Sequence, residues 1–254
     1  MRMRPIKKWA LRLGVTVVFI AGLLAGIVLK PSLLYAHSSE VGNFTILHQH
    51  KLDPQFVARL INADTLLKSS EIYDSSLKLS VCLNDGSYYP QLVQDIGGRV
   101  FGRGFADILV LGGTLHAAQN YVELNGYRWN LTELLAHEAV HCLEFNRYGL
   151  LNSNVIGHRH EDWKWEGYPE YVARKRRADL AKNIAHLVAT ERTDNNNWIF
   201  FDDSTGTVIP YYKAWLLVQY SLDIRKLSFD QLLKDTASEQ SVTVKMQDWY
   251  NKQM

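Results

Sequence analysis

Asn130-Leu131-Thr132-Glu133-Leu134-Leu135-Ala136-His137-Glu138-Ala139-Val140-His141-Cys142-Leu143-Glu144-Phe145-Asn146-Arg147-Tyr148-Gly149 is the stretch on which the reading of this chain turns. Asn130 and Glu133 have the spacing of a capping box. Leu131, Leu134, Leu135, Ala139, Cys142, Leu143 and Phe145 supply apolar positions, and Gly149 is a C-terminal stop. The stretch therefore predicts a helix. On it His137 and His141 stand at i and i+4, one turn apart on one face, so both can bind the same metal ion. Glu138 is rotated from them by about 100°. It can reach a water held by the metal without being a ligand. Zinc acidifies such a water, and a glutamate placed there takes its proton as general base.

A catalytic zinc takes three protein ligands and keeps one position open. A metzincin would have Gly at 144 and His at 147; Glu144 and Arg147 stand there instead, which excludes that class. Another common arrangement uses a glutamate from a following helix. Trp163-Lys164-Trp165-Glu166-Gly167-Tyr168-Pro169-Glu170-Tyr171 offers Glu166, with 24 residues (142–165) between it and His141. His158, His160, Glu161 and Asp162 precede it and are alternative third ligands.

With this pair of motifs the chain resembles the gluzincin zinc metallopeptidases, whose HExxH is followed by W-x-x-E-G-x-x-E-Y or a near relative, as in the aminopeptidase N family. The resemblance covers roughly residues 130–224. It implies a zincin-like α+β fold, zinc as cofactor held by His137, His141 and Glu166, and Glu138 as catalytic base. It places Glu170 as a carboxylate that orients a histidine ligand. Ile209-Pro210-Tyr211-Tyr212-Lys213-Ala214 resembles the family's P-Y-x-K-G segment, which implies that Tyr211 donates a hydrogen bond to the oxyanion; the neighbouring Tyr212 is the alternative. Pro169 and Ala214 depart from the pattern. No G-x-M-E-N segment, which in the aminopeptidases binds the substrate's free amine, precedes the metal helix. The resemblance thus implies an endopeptidase rather than an aminopeptidase. In gluzincins the strand before the metal helix often pairs with an extended peptide, a role for which Phe105 to Leu111 is the candidate, beside its plainer reading as a core strand. A zincin-fold binding or scaffolding protein without turnover is the alternative function.

The 254 residues suffice for one large domain, with 47% hydrophobic and 21% charged residues. The net charge of +2 is unevenly spread. Arg2, Arg4, Lys7, Lys8, Arg12 and Lys30 are all in the first 30 residues, which hold no acid; the rest has 22 basic residues (28 less six) against 26 acidic, about −4. Such a body gives no reason to expect nucleic-acid binding. Residues 13–29 carry no charge, and as a helix they would be about 26 Å long, a short bilayer span. The basic cluster before them would stay cytoplasmic. The expected organisation is a tip and transmembrane anchor over 1–30 and a peptidase domain over 31–254, α+β to 129 and helical from 130. The body would be extracytoplasmic, periplasmic or extracellular, and would act on peptide or protein. A cleaved signal peptide ending at Ala36 is the rival reading.

Elsewhere, residues 31–40 read as a linker, 43–47, 77–83 and 100–111 as strands, and Asp53-Pro54 as the start of a helix. The sheet is expected to be small and mixed. Helices are expected over 165–189, 211–224, 229–234 and 242–250, with a loop from 195 to 206. Cys82 and Cys142 read as buried small hydrophobes rather than a disulfide or zinc ligands. His48 and His50 read as a surface pair, and Arg174-Lys175-Arg176-Arg177 as a solvated helix face. Asn43-Phe44-Thr45 and Asn130-Leu131-Thr132 fit the glycosylation pattern, which matters only in a eukaryotic secretory setting.

Overall fold

A computed structural model describes residues 5–149, 163–193 and 196–253. His158, His160, Glu161 and Asp162 lie outside the described residues. The described chain is α+β. In order it forms α1 (Pro5–Val28), β1 (His37–Val41), β2 (Phe44–His48), α2 (Pro54–Leu67), β3 (Leu79–Cys82), α3 (Tyr88–Gly97), β4 (Gly102–Phe105) and β5 (Ile108–Leu111). Three short strands follow, β6 (Thr114–His116), β7 (Tyr121–Leu124) and β8 (Tyr127–Asn130). Then come α4 (Leu131–Tyr148), α5 (Trp163–Ala173), α6 (Leu180–Thr193), the hairpin β9 (Trp198–Phe200) and β10 (Gly206–Val208), α7 (Ile209–Gln219), α8 (Phe229–Lys234) and α9 (Glu239–Asn251).

The main sheet is mixed, as expected, with strand order β1-β2-β3-β5-β4. Its three central strands are parallel, and β1 and β4 run antiparallel to their neighbours. One face carries Ile46, Val81, Leu109 and Leu111 into the main core, where α2 and α4 contribute Phe56, Leu60, Leu135 and Ala139. The other face buries Leu47, Cys82, Ile108 and Val110 against Tyr89 and Val93 of α3. Each of the three central strands thus covers both faces with apolar side chains, the composition that parallel sheets require.

Several boundaries differ from the sequence reading. The single strand expected over 100–111 is a hairpin, because the chain reverses at Ala106, whose φ of 50° lies in the left-handed region. Alanine carries no turn signal, so the reversal was invisible to residue type. The expected linker 31–40 contains a 3₁₀ turn and β1, which pairs along its length with β2. Helix α3, capped by Ser87, and the β6-β7-β8 meander were not foreseen. The helix expected over 165–189 is two helices. Asp179 accepts from the Lys182 N–H and so starts α6 afresh. The expected loop after 195 holds the β9–β10 hairpin. Pro169 lies inside α5, six residues beyond its start at Trp163, leaving the Trp165 carbonyl without its helical donor.

Among the described residues no helix is long and apolar enough to cross a membrane; the side chains of residues 5–8, 10, 11 and 21 of α1 are not among those described. The two cysteines are free and buried, as expected of small hydrophobes.

Candidate metal centre

Helix α4 forms where the sequence places it. The Asn130 side chain accepts from the Glu133 N–H, and Gly149, with φ of 78°, ends the helix. Only half of the expected box is made, because the Glu133 carboxylate is drawn to Arg174 and Arg177 instead. The opposite flank of α4 packs into the core, which turns His137 and His141 toward α5. Gly167 lets α5 lie tight on α7: a Cβ there would overlap the Ala214 carbonyl oxygen. The fit fixes the rotation of α5 that brings Glu166 over the histidines.

Three atoms converge as a result. His137 Nε2 is 3.1 Å from His141 Nε2, and Glu166 Oε2 is 3.6 Å from the first and 3.5 Å from the second. A tetrahedral ion with bonds of about 2.0–2.1 Å spaces its ligand atoms roughly 3.3–3.4 Å apart. The measured edges straddle that value, and the donor set, two imidazoles and a carboxylate, suits zinc. Proximity also gathers His137, Glu138 and His141, whose ligand atoms lie within 4.8 Å. We favour Glu166 as the third ligand because it closes the tighter triangle. Glu138 is packed against β4, where a Cβ on Gly102 would stand 2.7 Å from its Cγ.

The far nitrogen of each histidine meets a carboxylate. His141 Nδ1 and Glu144 Oε2 are 2.9 Å apart, and His137 Nδ1 and Glu170 Oε1 are 3.4 Å apart. Such partners hold Nδ1 protonated and leave Nε2 free to ligate. Glu170 is in turn paired with Arg174, which also binds Glu133, and Glu133 receives Arg177 Nε at 3.0 Å. Arg174 is therefore not part of a solvated face. It is 1% exposed, and its charge is drawn inward by two carboxylates. Lys175 and Arg176 do face solvent.

These contacts set the protonation of the cluster. Burial opposes the charge of His137, but Glu166 and Glu170 outweigh it and hold the imidazole up to about 9. His141 is likewise raised: burial is outweighed by Glu166 and Glu144. Burial lifts Glu144 to about 7 and also raises Glu138, against the pull of the two histidines. Glu170 stays below the usual carboxylate range, since Arg174 and His137 overcome its burial. Metal ligation requires unprotonated Nε2 atoms, so binding here must expel protons.

His137, Glu138, His141, Glu166 and Tyr211 all line one cleft of about 920 Å³. The Tyr211 ring stacks on His137 with centroids 6.0 Å apart. Tyr212 is fully buried and gives its hydroxyl to the Asn183 carbonyl at 3.2 Å. Of the two tyrosines, only Tyr211 reaches the cleft. The cleft wall opposite α4 is β4, the last strand of the sheet. A Cβ on Gly104 would collide with the Glu138 carbonyl oxygen and stand 3.0 Å from His141 Cβ. Glycine at this position is what lets the strand approach the metal helix. The candidate peptide edge is accordingly β4, not the whole span 105–111: β5 is flanked by β3 and β4 and offers no edge.

Glu144, Glu133 and Arg174 were missed as parts of the site. Glu144 was findable, since i+3 from His141 puts it beside the ring. The Glu133–Arg174 link was not, because it joins two helices. His48 is buried, not on the surface as expected, with Nε2 2.9 Å from Ser39 Oγ and Nδ1 2.7 Å from the His50 carbonyl oxygen. Comparison with models of known families, with curated proteins and with solved structures found nothing that matches the chain.

Proposed function

We propose that the chain is a zinc metallopeptidase of the gluzincin type, with a zincin-like fold, that hydrolyses peptide bonds as an endopeptidase. The observation that carries the reading is the triangle of His137 Nε2, His141 Nε2 and Glu166 Oε2, with edges of 3.1–3.6 Å. It is supported by a carboxylate behind each imidazole and by an acid in the cleft wall beside it.

Zinc held there would supply Lewis acidity to the scissile carbonyl and acidify the attacking water. Glu138 takes the proton from that water and passes it to the amide nitrogen as the C–N bond breaks. Its raised pKa keeps the carboxylate basic enough to accept the proton. The Tyr211 hydroxyl donates to the carbonyl oxygen as negative charge grows on it. The Glu170–Arg174–Glu133 chain holds the His137 ring in place. No amine-binding glutamate is contributed by residues 98–113, which favours cleavage within a chain.

The reading extends to α1 as a single-pass anchor with the body outside the cytoplasm. Leu13, Val15, Val17, Val18, Phe19 and Leu23 of this 24-residue helix are more than half exposed, as lipid contact requires.

The test is zinc stoichiometry and peptide hydrolysis on the full chain in detergent. About one zinc per chain is expected. Glu138→Gln should retain it while losing hydrolysis by about 10²–10⁴-fold. A zinc-free wild-type protein would sink the proposal. Bound zinc without cleavage of a broad peptide library would point to the binding or scaffolding alternative.

A further inference from the structure

The charges that line the cleft are few and divided. Its only acids among the described residues are Glu138 and Glu166, both at the metal centre. Among the described residues its only fixed cations are Arg99 and Arg103, and neither makes an ion pair with a described acid. Among the other arginines, Arg174, Arg177 and Arg225 are each paired with an acid, and the half-buried Arg59 gives its guanidinium to the Ala117 and Ala118 carbonyl oxygens. Two unpaired guanidiniums in one cleft stand out in a body whose net charge is about −4.

Arg103 is also held in position. Its Nη2 donates to the Gly97 carbonyl oxygen at 2.6 Å, at the end of α3, where a cation is favoured by the helix dipole. An arginine has five N–H donors, so this bond leaves most of the fork for a ligand.

Strand geometry says where that ligand lies. Gly102 and Gly104 face α4 and abut Glu138, so Arg103 between them faces the other side of β4. The outer edge of β4 has no partner strand among the described residues. A peptide extended along that edge alternates in the same way. The residue directly across from Arg103 turns its side chain toward the guanidinium, and its two neighbours turn theirs toward the metal centre.

We propose that the cleft selects acidic peptides, with an Asp or Glu of the substrate paired to Arg103 and a second acidic group drawn to Arg99. The inference rests on the reading of the cleft as a peptide site. Two tagged peptides of one sequence, one with Asp and Glu and one with Asn and Gln, would be titrated by fluorescence polarisation. The protein is the zinc-loaded full chain carrying Glu138→Gln. The acidic peptide is expected to bind about tenfold or more tightly at low salt, the size of a charge-assisted hydrogen bond, with the advantage shrinking as salt rises. Arg103→Gln should bring the ratio of the two affinities near one. Arg99→Gln, whose side chain makes no hydrogen bond among the described residues, should reduce it and guards against misfolding of the first variant. A ratio near one before substitution, binding of neither peptide, or a ratio that survives both substitutions would overturn the proposal. Charge-independent hydrolysis by the zinc-loaded wild type would sink this inference alone. Charge-selective binding without wild-type hydrolysis would sink the peptidase reading and leave this one standing.

Discussion

Among the described residues two close pairs of histidines have opposite fates. His48 and His50 lie at the end of β2, and His137 and His141 lie on α4. The first pair is satisfied locally: His48 uses Nδ1 on the His50 backbone and Nε2 on Ser39, and its ring lies 5.6 Å from that of His37. The ring nitrogens of His48 are already committed, and neither imidazole of this pair meets a carboxylate among the described residues. The second pair turns both Nε2 atoms to Glu166 and has another carboxylate oxygen near each Nδ1, at 3.4 Å for His137 and 2.9 Å for His141. Spacing therefore does not make a metal site. The second pair adds a shared helix face, a third donor from another element and acids behind the rings, the features that could hold an ion.

The sharpest way to break the contrast is to remove the charge network behind His137. Arg174→Ala leaves the buried Glu170 without its cation, while Glu133 keeps Arg177, and should cost about 3–5 kcal/mol of stability. Lys175→Ala, one position on and exposed, should stay within about 0.5 kcal/mol. Urea unfolding of the two variants compares them directly, and equal midpoints would show that the network is not structural.

Acidity should act on the second pair with opposite signs in the presence and absence of metal. His137, raised to about 9, and Glu144, raised to about 7, both bind protons more readily in the folded chain than at their ordinary values of 6.5 and 4.5. Proton uptake thus favours the folded metal-free protein. That stability should decline as pH rises from about 4.5, through 7 as Glu144 ionises and on to 9 as His137 loses its proton. Zinc reverses the trend, because it competes with those protons, and its affinity should fall about tenfold per pH unit for each proton displaced. Calorimetric titration in two buffers of different protonation enthalpy counts the protons; none released would contradict the assignment of both imidazoles as ligands.

A smaller effect is expected one layer out. Glu144→Gln keeps an acceptor near His141 Nδ1 but removes its charge, and zinc affinity should fall about 10–100-fold. Competition with a chromophoric chelator measures it, and an unchanged affinity would assign Glu144 to packing alone. The smallest effect is predicted at the other pair: His48→Gln should leave the zinc stoichiometry unchanged. Loss of zinc there would erase the contrast.

Much of the second site was legible because it is local. The i, i+4 histidines, the adjacent glutamate and the Asn130 cap all act within one helix, where sequence distance is spatial distance. Glu166 and Glu170 were legible as a pattern whose partner was the first motif. The rest required the fold. Whether Tyr211 or Tyr212 faces the cleft is settled by the rotation of α7, which buries Tyr212 against Asn183. The inward turn of Arg174 depends on carboxylates from α4 and α5 meeting it. The hairpin at Ala106, which makes β4 an edge, depends on strand pairing that overrides a residue with no turn preference.

By itself the sequence determined the α+β class, the metal helix and the residue types able to hold zinc, since helical periodicity and capping are properties of neighbouring residues. Only the tertiary structure decided which of those residues share a space. The convergence of Glu166 with the histidines, the carboxylate behind each ring and the meeting of Arg99 and Arg103 in one cleft with them are products of packing between elements far apart in the chain. Their geometry is set by how closely backbones approach at Gly104 and Gly167, where even a single methyl group would collide with a carbonyl oxygen.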